Sequence, residues 1–113
     1  MSGRTSRTKG AAAERELARL IREGGFACER TGRNGRTSED VTHDIPGVHL
    51  ECKRREVLSI PAWLRQAEAD APAGRVPVVA FRQSRQPWRV VLPLGEFLRL
   101  KQIEREGLTP ADI

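Results

Sequence analysis

The stretch Val48-His49-Leu50-Glu51-Cys52-Lys53-Arg54-Arg55 alternates apolar and polar residues in the way a strand does. Successive strand side chains point to opposite faces, so Val48, Leu50 and Cys52 are predicted to enter a core. His49, Glu51 and Lys53 then share the other face. A carboxylate and an ammonium two residues apart on one strand face lie within reach of one bound metal and one scissile phosphate. Taken alone, the pair reads as a solvated surface contact, since exposed ion pairs contribute little. Its companions along the chain change that reading.

The elements around this strand follow from periodicity and punctuation. Residues 1–10 carry Arg4, Arg7 and Lys9 with no apolar anchor, and are expected to form a basic, flexible arm. Ala11 to Glu23 is predicted as an amphipathic helix with Ala13, Leu17, Leu20 and Ile21 in one stripe, stopped by Gly24 and Gly25. Phe26 to Arg30 is a short strand with Phe26 and Cys28 inward, and Glu39 to His43 is a second. Ile45-Pro46-Gly47 is a turn, after which the strand at Val48 is expected to return antiparallel to the second. Ser59 can cap a helix starting at Ile60-Pro61 and running through Trp63, Leu64 and Gln66 to about Ala71.

Arg75 to Phe81 is nearly continuously apolar, as in a strand covered on both faces. A further strand, Trp88 to Leu92, precedes a closing helix from Leu94 to Glu106 with Phe97, Leu98, Leu100 and Ile103 at helical spacing. Trp63, Trp88 and Phe97 are read as core. The order αβββαββα predicts an α/β domain over residues 11–106, a mixed central sheet flanked by helices, with a tail at 107–113.

With 113 residues the chain has material for one modest core, and 38% hydrophobic against 31% charged residues excludes a disordered chain. No apolar run is long enough to span a bilayer, and the basic, polar N-terminus is not a signal peptide, so no membrane association and a cytoplasmic location (a bacterium or a phage-infected host cell) are expected. The net charge of +5 and pI near 10.2 come mostly from arginine and point to nucleic acid. Cys28 and Cys52 are too far apart for a CxxC pair and read as reduced core residues. His43 and His49 have no third partner at zinc-ligand spacing. The absence of tyrosine excludes a tyrosine nucleophile, and no glycine-rich phosphate loop signals a nucleotide cofactor.

Two pairs of acids compete for a place beside Glu51. On the first helix Glu14 falls at the margin of the apolar stripe, and Glu16 on the solvated side. Folding the hairpin about Ile45-Pro46 sets Asp40 opposite Glu51, and folding about Pro46-Gly47 sets it opposite Lys53; either way Asp40 shares their face unless a bulge intervenes. Asp44, at the turn, lies roughly 13 Å along the strand from Glu51, too far to share one metal. Glu14, Asp40, Glu51 and Lys53 therefore converge on one sheet edge.

Such an oxygen-rich site selects Mg²⁺ or Mn²⁺, held by Asp40, Glu51 and the Cys52 carbonyl with help from Glu14. Lys53 is expected to orient or deprotonate the attacking water and to neutralise developing charge. The loop after Arg30, with Thr31, Arg33, Asn34 and Arg36, and the strand end at Arg54 and Arg55 offer donors to DNA phosphates.

A helix-borne acid, a strand acid and Glu51-Cys52-Lys53 on the next strand resemble the PD-(D/E)XK nuclease superfamily. Within it, Lys9-Gly10, then Ala13-Glu14-Arg15-Glu16-Leu17 and Gly25-Phe26, are similar to archaeal-type Holliday junction resolvases and their phage relatives. So are the Arg30-Thr31 loop, Glu51-Cys52-Lys53, and Pro77-Val78-Val79-Ala80 followed by Trp88. The resemblance spans roughly residues 7 to 92 and implies a restriction-endonuclease-like core. It also implies a metal-dependent DNA endonuclease, an active-site set of Glu14, Asp40, Glu51 and Lys53, and a homodimer. Two departures stand out: Glu39 occupies the position of the superfamily's proline, and the hairpin from Asp40 to Glu51 is short. The expected activity is four-way-junction resolution. The alternatives are a nicking or restriction-like endonuclease on duplex DNA, and a non-catalytic DNA-binding module on the same fold.

Overall fold

The computed structural model describes residues 3–31 and 39–107, the side chains before Gly10 excepted. Its elements are α1 (Gly3–Glu23), β1 (Cys28–Arg30), β2 (Val41–His43), β3 (Val48–Arg54), α2 (Ile60–Asp70), β4 (Val76–Arg82), β5 (Arg89–Val91) and α3 (Leu94–Glu106), the predicted order. The first helix starts at Gly3, not Ala11, so described residues read as a flexible arm continue α1. Extending a nucleated helix is far easier than starting one, so the basic segment needs no apolar stripe of its own. The loop positions Arg33, Asn34 and Arg36 and the tail beyond Gly107 lie outside the described residues.

β4 is the centre of a mixed sheet of order β3-β4-β5. It runs parallel to β3, with Glu51 beside Val79 and Lys53 beside Phe81, and antiparallel to β5, with Phe81 beside Arg89. Residues Val76 through Phe81 are all buried, which explains their unbroken apolar run. On one face Val48, Leu50, Val76, Val78 and Ala80 meet Leu17 and Ala18 of α1, with Cys52, Trp88 and Leu100 at the margin. On the other, Val79 and Phe81 meet Trp63 and Ala67 of α2. The Trp63 and Phe81 rings lie 5.9 Å apart at a tilt of 50°.

The structure corrects the expected hairpin between the second and third strands. β2 pairs antiparallel with β1, Cys28 opposite His43, in a separate two-stranded ribbon. The two acids preceding β2 replace the missing ladder: the Leu50 N–H donates to Glu39 Oε2 at 2.7 Å, and the Cys52 N–H to Asp40 Oδ2 at 2.7 Å. Carboxylate acceptors satisfy this edge by charge-assisted bonds stronger than a neutral backbone pair, so β2 need not lie alongside.

Three further expectations give way. Phe26 is 42% exposed, because β1 begins only at Cys28. Phe97 is 45% exposed on the outer side of α3, whose buried residue is Ile103. Glu16 is not merely solvated: it accepts the Trp88 Nε1–H at 2.6 Å and sits 3.5 Å from Arg82, fastening α1 to the sheet.

Candidate active site

β3 carries the centre of the site, and α2 makes its environment. The helix presents Trp63, Gln66, Ala67 and Asp70 at helical spacing toward the sheet face that holds His49, Glu51 and Lys53. That face, read from alternation as the polar one, is therefore covered. His49 is 1% and Glu51 3% exposed. His49 Nε2 lies 3.1 Å from Glu51 Oε1, and its other ring nitrogen 4.0 Å from Glu39 Oε2. Glu39 also meets His43 Nε2 at 2.6 Å, while the Ile45 N–H donates to His43 Nδ1.

Lys53 donates from Nζ to the neutral Gln66 Oε1 at 3.0 Å and makes no ion pair among the described residues. Gln66 and Asp70 carried no assigned role in the sequence reading. Their signal was present, since each lies one helical turn from a buried residue of the same stripe.

Asp40 reaches the edge of β3 through its bond to the Cys52 N–H. Within a strand, a residue's N–H and C=O point to the same side, so the Cys52 carbonyl faces the same edge as the Asp40 carboxylate. Glu14 approaches from α1, held by Arg30 Nε at 2.7 Å. The structure thus brings Glu14, Asp40, Glu51, Cys52 and Lys53 to one end of the sheet. Asp44 is elsewhere: its Oδ1 accepts the Ala27 N–H at 2.8 Å, closing the far end of the β1–β2 ribbon.

Two residues assigned to DNA contact are already engaged. Arg30 is committed to Glu14, and Arg54 to Glu56 at 2.7 Å and to Ser84 Oγ at 2.8 Å. Arg55 is exposed; its guanidinium donates to the Arg54 carbonyl at 3.0 Å and its backbone N–H to the Arg82 carbonyl at 3.2 Å. Thr31 lies against the Thr42 hydroxyl at 3.2 Å.

Electrostatics mark the same spot. Burial pushes the Glu51 carboxyl up to about 7; the His49 hydrogen bond opposes this, while the Asp40 charge and the Asp70 carboxyl reinforce it. The Cys52 thiol is pushed up to about 12, by burial first and then by the Asp40 and Glu14 charges. It stays a thiol, so Cys52 offers a carbonyl and not a thiolate.

One pH dependence follows. The folded chain holds the Glu51 proton up to about pH 7, the unfolded chain only to about 4.5. Stability is therefore favoured at low pH and declines as pH rises from about 4.5 to about 7. Glu51→Gln removes that decline, so the variant's melting temperature relative to wild type should rise between pH 5 and pH 8. An unchanged difference would place Glu51 in contact with water.

A perturbed buried carboxylate beside a second acid and a lysine is the kind of cluster found at functional sites. Comparison with known proteins decides the family: the model of a family described as phage putative PDDEXK endonuclease matches residues 5–109. The chain belongs to that family. This makes it a nuclease of the PD-(D/E)XK type, a phosphodiester-hydrolysing endonuclease. Among solved structures it is similar to Hjc of Archaeoglobus fulgidus, a Holliday junction resolvase from an archaeal hyperthermophile. The TM-score is 0.53 at 24% identity, covering 74% of this chain and 72% of that one, which shows the nuclease fold. No curated protein matches. Glu51-Cys52-Lys53 has the spacing E-x-K on β3, and Asp40 precedes it at the edge of that strand.

Proposed function

We propose that this endonuclease is divalent-metal-dependent and resolves four-way DNA junctions as a twofold homodimer. The supporting observation is the placement of Asp40 at the Cys52 edge beside Glu51 and Lys53. Among the described residues, no three His, Cys, Asp or Glu side chains gather tightly enough to enclose a metal. The donor set nevertheless fits Mg²⁺ or Mn²⁺, which are usually held by one or two carboxylates, water and substrate phosphate rather than a protein cage. Asp40, Glu51 and the Cys52 carbonyl would hold the ion, with Glu14 contributing once Arg30 releases it. Such an ion supplies positive charge at the phosphate and acidifies water.

The chain's own residues do the rest. Lys53, oriented by Gln66, presents its ammonium where charge grows on the phosphate oxygens, and can hold the attacking water in line. His49 buttresses Glu51 from within the core through the bond to Oε1. The clustered Asp40, Glu51 and Asp70 carboxyls would repel a phosphate in a purely DNA-binding module, which argues against that alternative.

Resolving a junction requires two symmetric incisions, while this chain carries one acid–acid–E-x-K set, so the twofold of the DNA calls for a twofold pair of chains. Leu94, Phe97 and Leu98 on α3 and Val90 on β5 are exposed and supply an apolar surface for pairing. The relative from Archaeoglobus fulgidus is a junction resolvase by name, which favours this substrate over plain duplex.

The test compares supercoiled plasmid, linear duplex and a four-way junction with and without Mg²⁺, together with light scattering of the free and junction-bound protein. Paired symmetric cuts in the junction by a dimer are expected. A monomer that nicks duplex as readily as junctions would replace this reading with the nickase.

A further inference from the structure

Resting on the nuclease reading, we propose that the β4–β5 turn is a rigid DNA-backbone clamp in which Arg85 contacts a phosphate neighbouring the scissile one. The backbone provides the first reason. In the turn Gln83-Ser84-Arg85-Gln86, closed by the Gln86 N–H on the Gln83 carbonyl at 3.2 Å, Arg85 occupies the third position with φ 62°. It is the sole non-glycine residue with positive φ among the described residues. Glycine or asparagine suits that position, and an arginine there is disfavoured unless its side chain is needed.

The second reason is how the turn is held. It is exposed, yet strapped to the segment that follows Lys53. The Ser84 N–H donates to the Glu56 carboxylate at 3.0 and 3.1 Å, Gln83 Nε2 to the Glu56 carbonyl at 2.8 Å, and Arg54 to Ser84 Oγ. These bonds from Arg54 and Ser84 also hold the Glu56 carboxyl down at about 2, so the strap persists over the working pH range. Arg54, expected from the sequence to touch DNA, instead fastens the turn that carries Arg85.

The third reason is the distribution of charge. Carboxylates neutralise Arg19, Arg30, Arg54, Arg82, Lys101 and Arg105. Arg55, Arg85 and Arg89 meet no carboxylate among the described residues, and all three are exposed around this end of the sheet. The register sets Lys53, Phe81 and Arg89 in one row across three strands, so Arg89 lies about 10 Å, two strand spacings, from Lys53 on the same face. Arg85 stands in the turn beyond the ends of β4 and β5, at the end of the sheet that carries Lys53. Exposed arginines without a carboxylate partner among the described residues also stand elsewhere, at Arg15 and Arg65, but Arg55, Arg85 and Arg89 all lie around the Lys53 end of the sheet, where they offer a phosphodiester backbone contacts beside the site.

Arg85→Gly tests the proposal, because glycine fits the turn and so separates folding from binding. Binding of a fluorescent four-way junction in EDTA is measured across a salt series, and cleavage of the same junction with Mg²⁺. We expect a melting temperature no lower than wild type and a plot of log affinity against log salt flatter by about 0.9 for the lost phosphate contact. KM should rise while kcat at saturating DNA stays unchanged. Arg55→Ala with Arg89→Ala should flatten the slope further. An unchanged slope and KM in Arg85→Gly, with wild type cutting normally, would overturn the clamp alone. A wild-type chain that neither binds nor cuts DNA would overturn the nuclease reading and the clamp with it.

Discussion

Replacing Lys53 with alanine is expected to lower turnover by about 10² or more while DNA affinity stays near wild type. The side chain acts where charge develops on the phosphate, and a group whose interactions strengthen only in the transition state affects kcat rather than binding. Its partner is the neutral Gln66, so its removal leaves no buried charge unpaired and the fold should survive. Glu51→Gln should be as damaging to turnover for a different reason. The amide keeps the shape and can still meet His49, but loses the negative charge beside Asp40 that the metal requires. Single-turnover cleavage and equilibrium binding on one substrate separate these effects. Undiminished cleavage by Lys53→Ala would remove this residue from the chemistry.

Asp40→Asn should reduce metal-supported cleavage by a comparable factor, whereas Asp44→Asn should retain most of it. The two aspartates bracket β2 and do unlike work. Asp40 accepts the Cys52 N–H and lends its charge to the environment of Glu51. Asp44 accepts the Ala27 N–H at the other end of the β1–β2 ribbon. An asparagine at position 40 can keep the hydrogen bond through its carbonyl oxygen, so the loss should appear in activity more than in stability. Asp44→Asn should show the smaller change in both. Cleavage rates over a Mg²⁺ titration, with thermal melting as a control, check the contrast. A dead Asp44→Asn beside an active Asp40→Asn would reverse the assignment.

Much of this site was legible because strand period and helix period are local properties. The alternation from Val48 to Lys53 placed Glu51 and Lys53 on one face, and the apolar run before Arg82 marked the doubly covered strand. What the sequence could not display was which partner each face would meet. Alternation suggested that His49 and Glu51 face water, but α2 covers them, and burial is what raises the Glu51 carboxyl.

The hairpin reasoning put Asp40 near Glu51 although β2 and β3 form no ladder. Asp40 reaches the strand through its side chain, and a parity count of backbone partners cannot foresee a carboxylate standing in for a strand. Arginines posed the same problem in reverse. Arg30 and Arg54 look free in sequence, and only the folded chain reveals the glutamates that hold them. Gln66 and Asp70 could have been found by continuing the Trp63 stripe along α2.

The most direct measurement is a calorimetric titration of the DNA-free protein with Mn²⁺ at pH 8, where Glu51 is ionised, for wild type, Asp40→Asn and Glu51→Gln. It does not depend on which DNA is the substrate. The account predicts saturable binding by wild type, lost or weakened at least tenfold in each variant, with all three still folded. Equal Mn²⁺ binding by wild type and both variants would contradict a metal centre at the Cys52 edge.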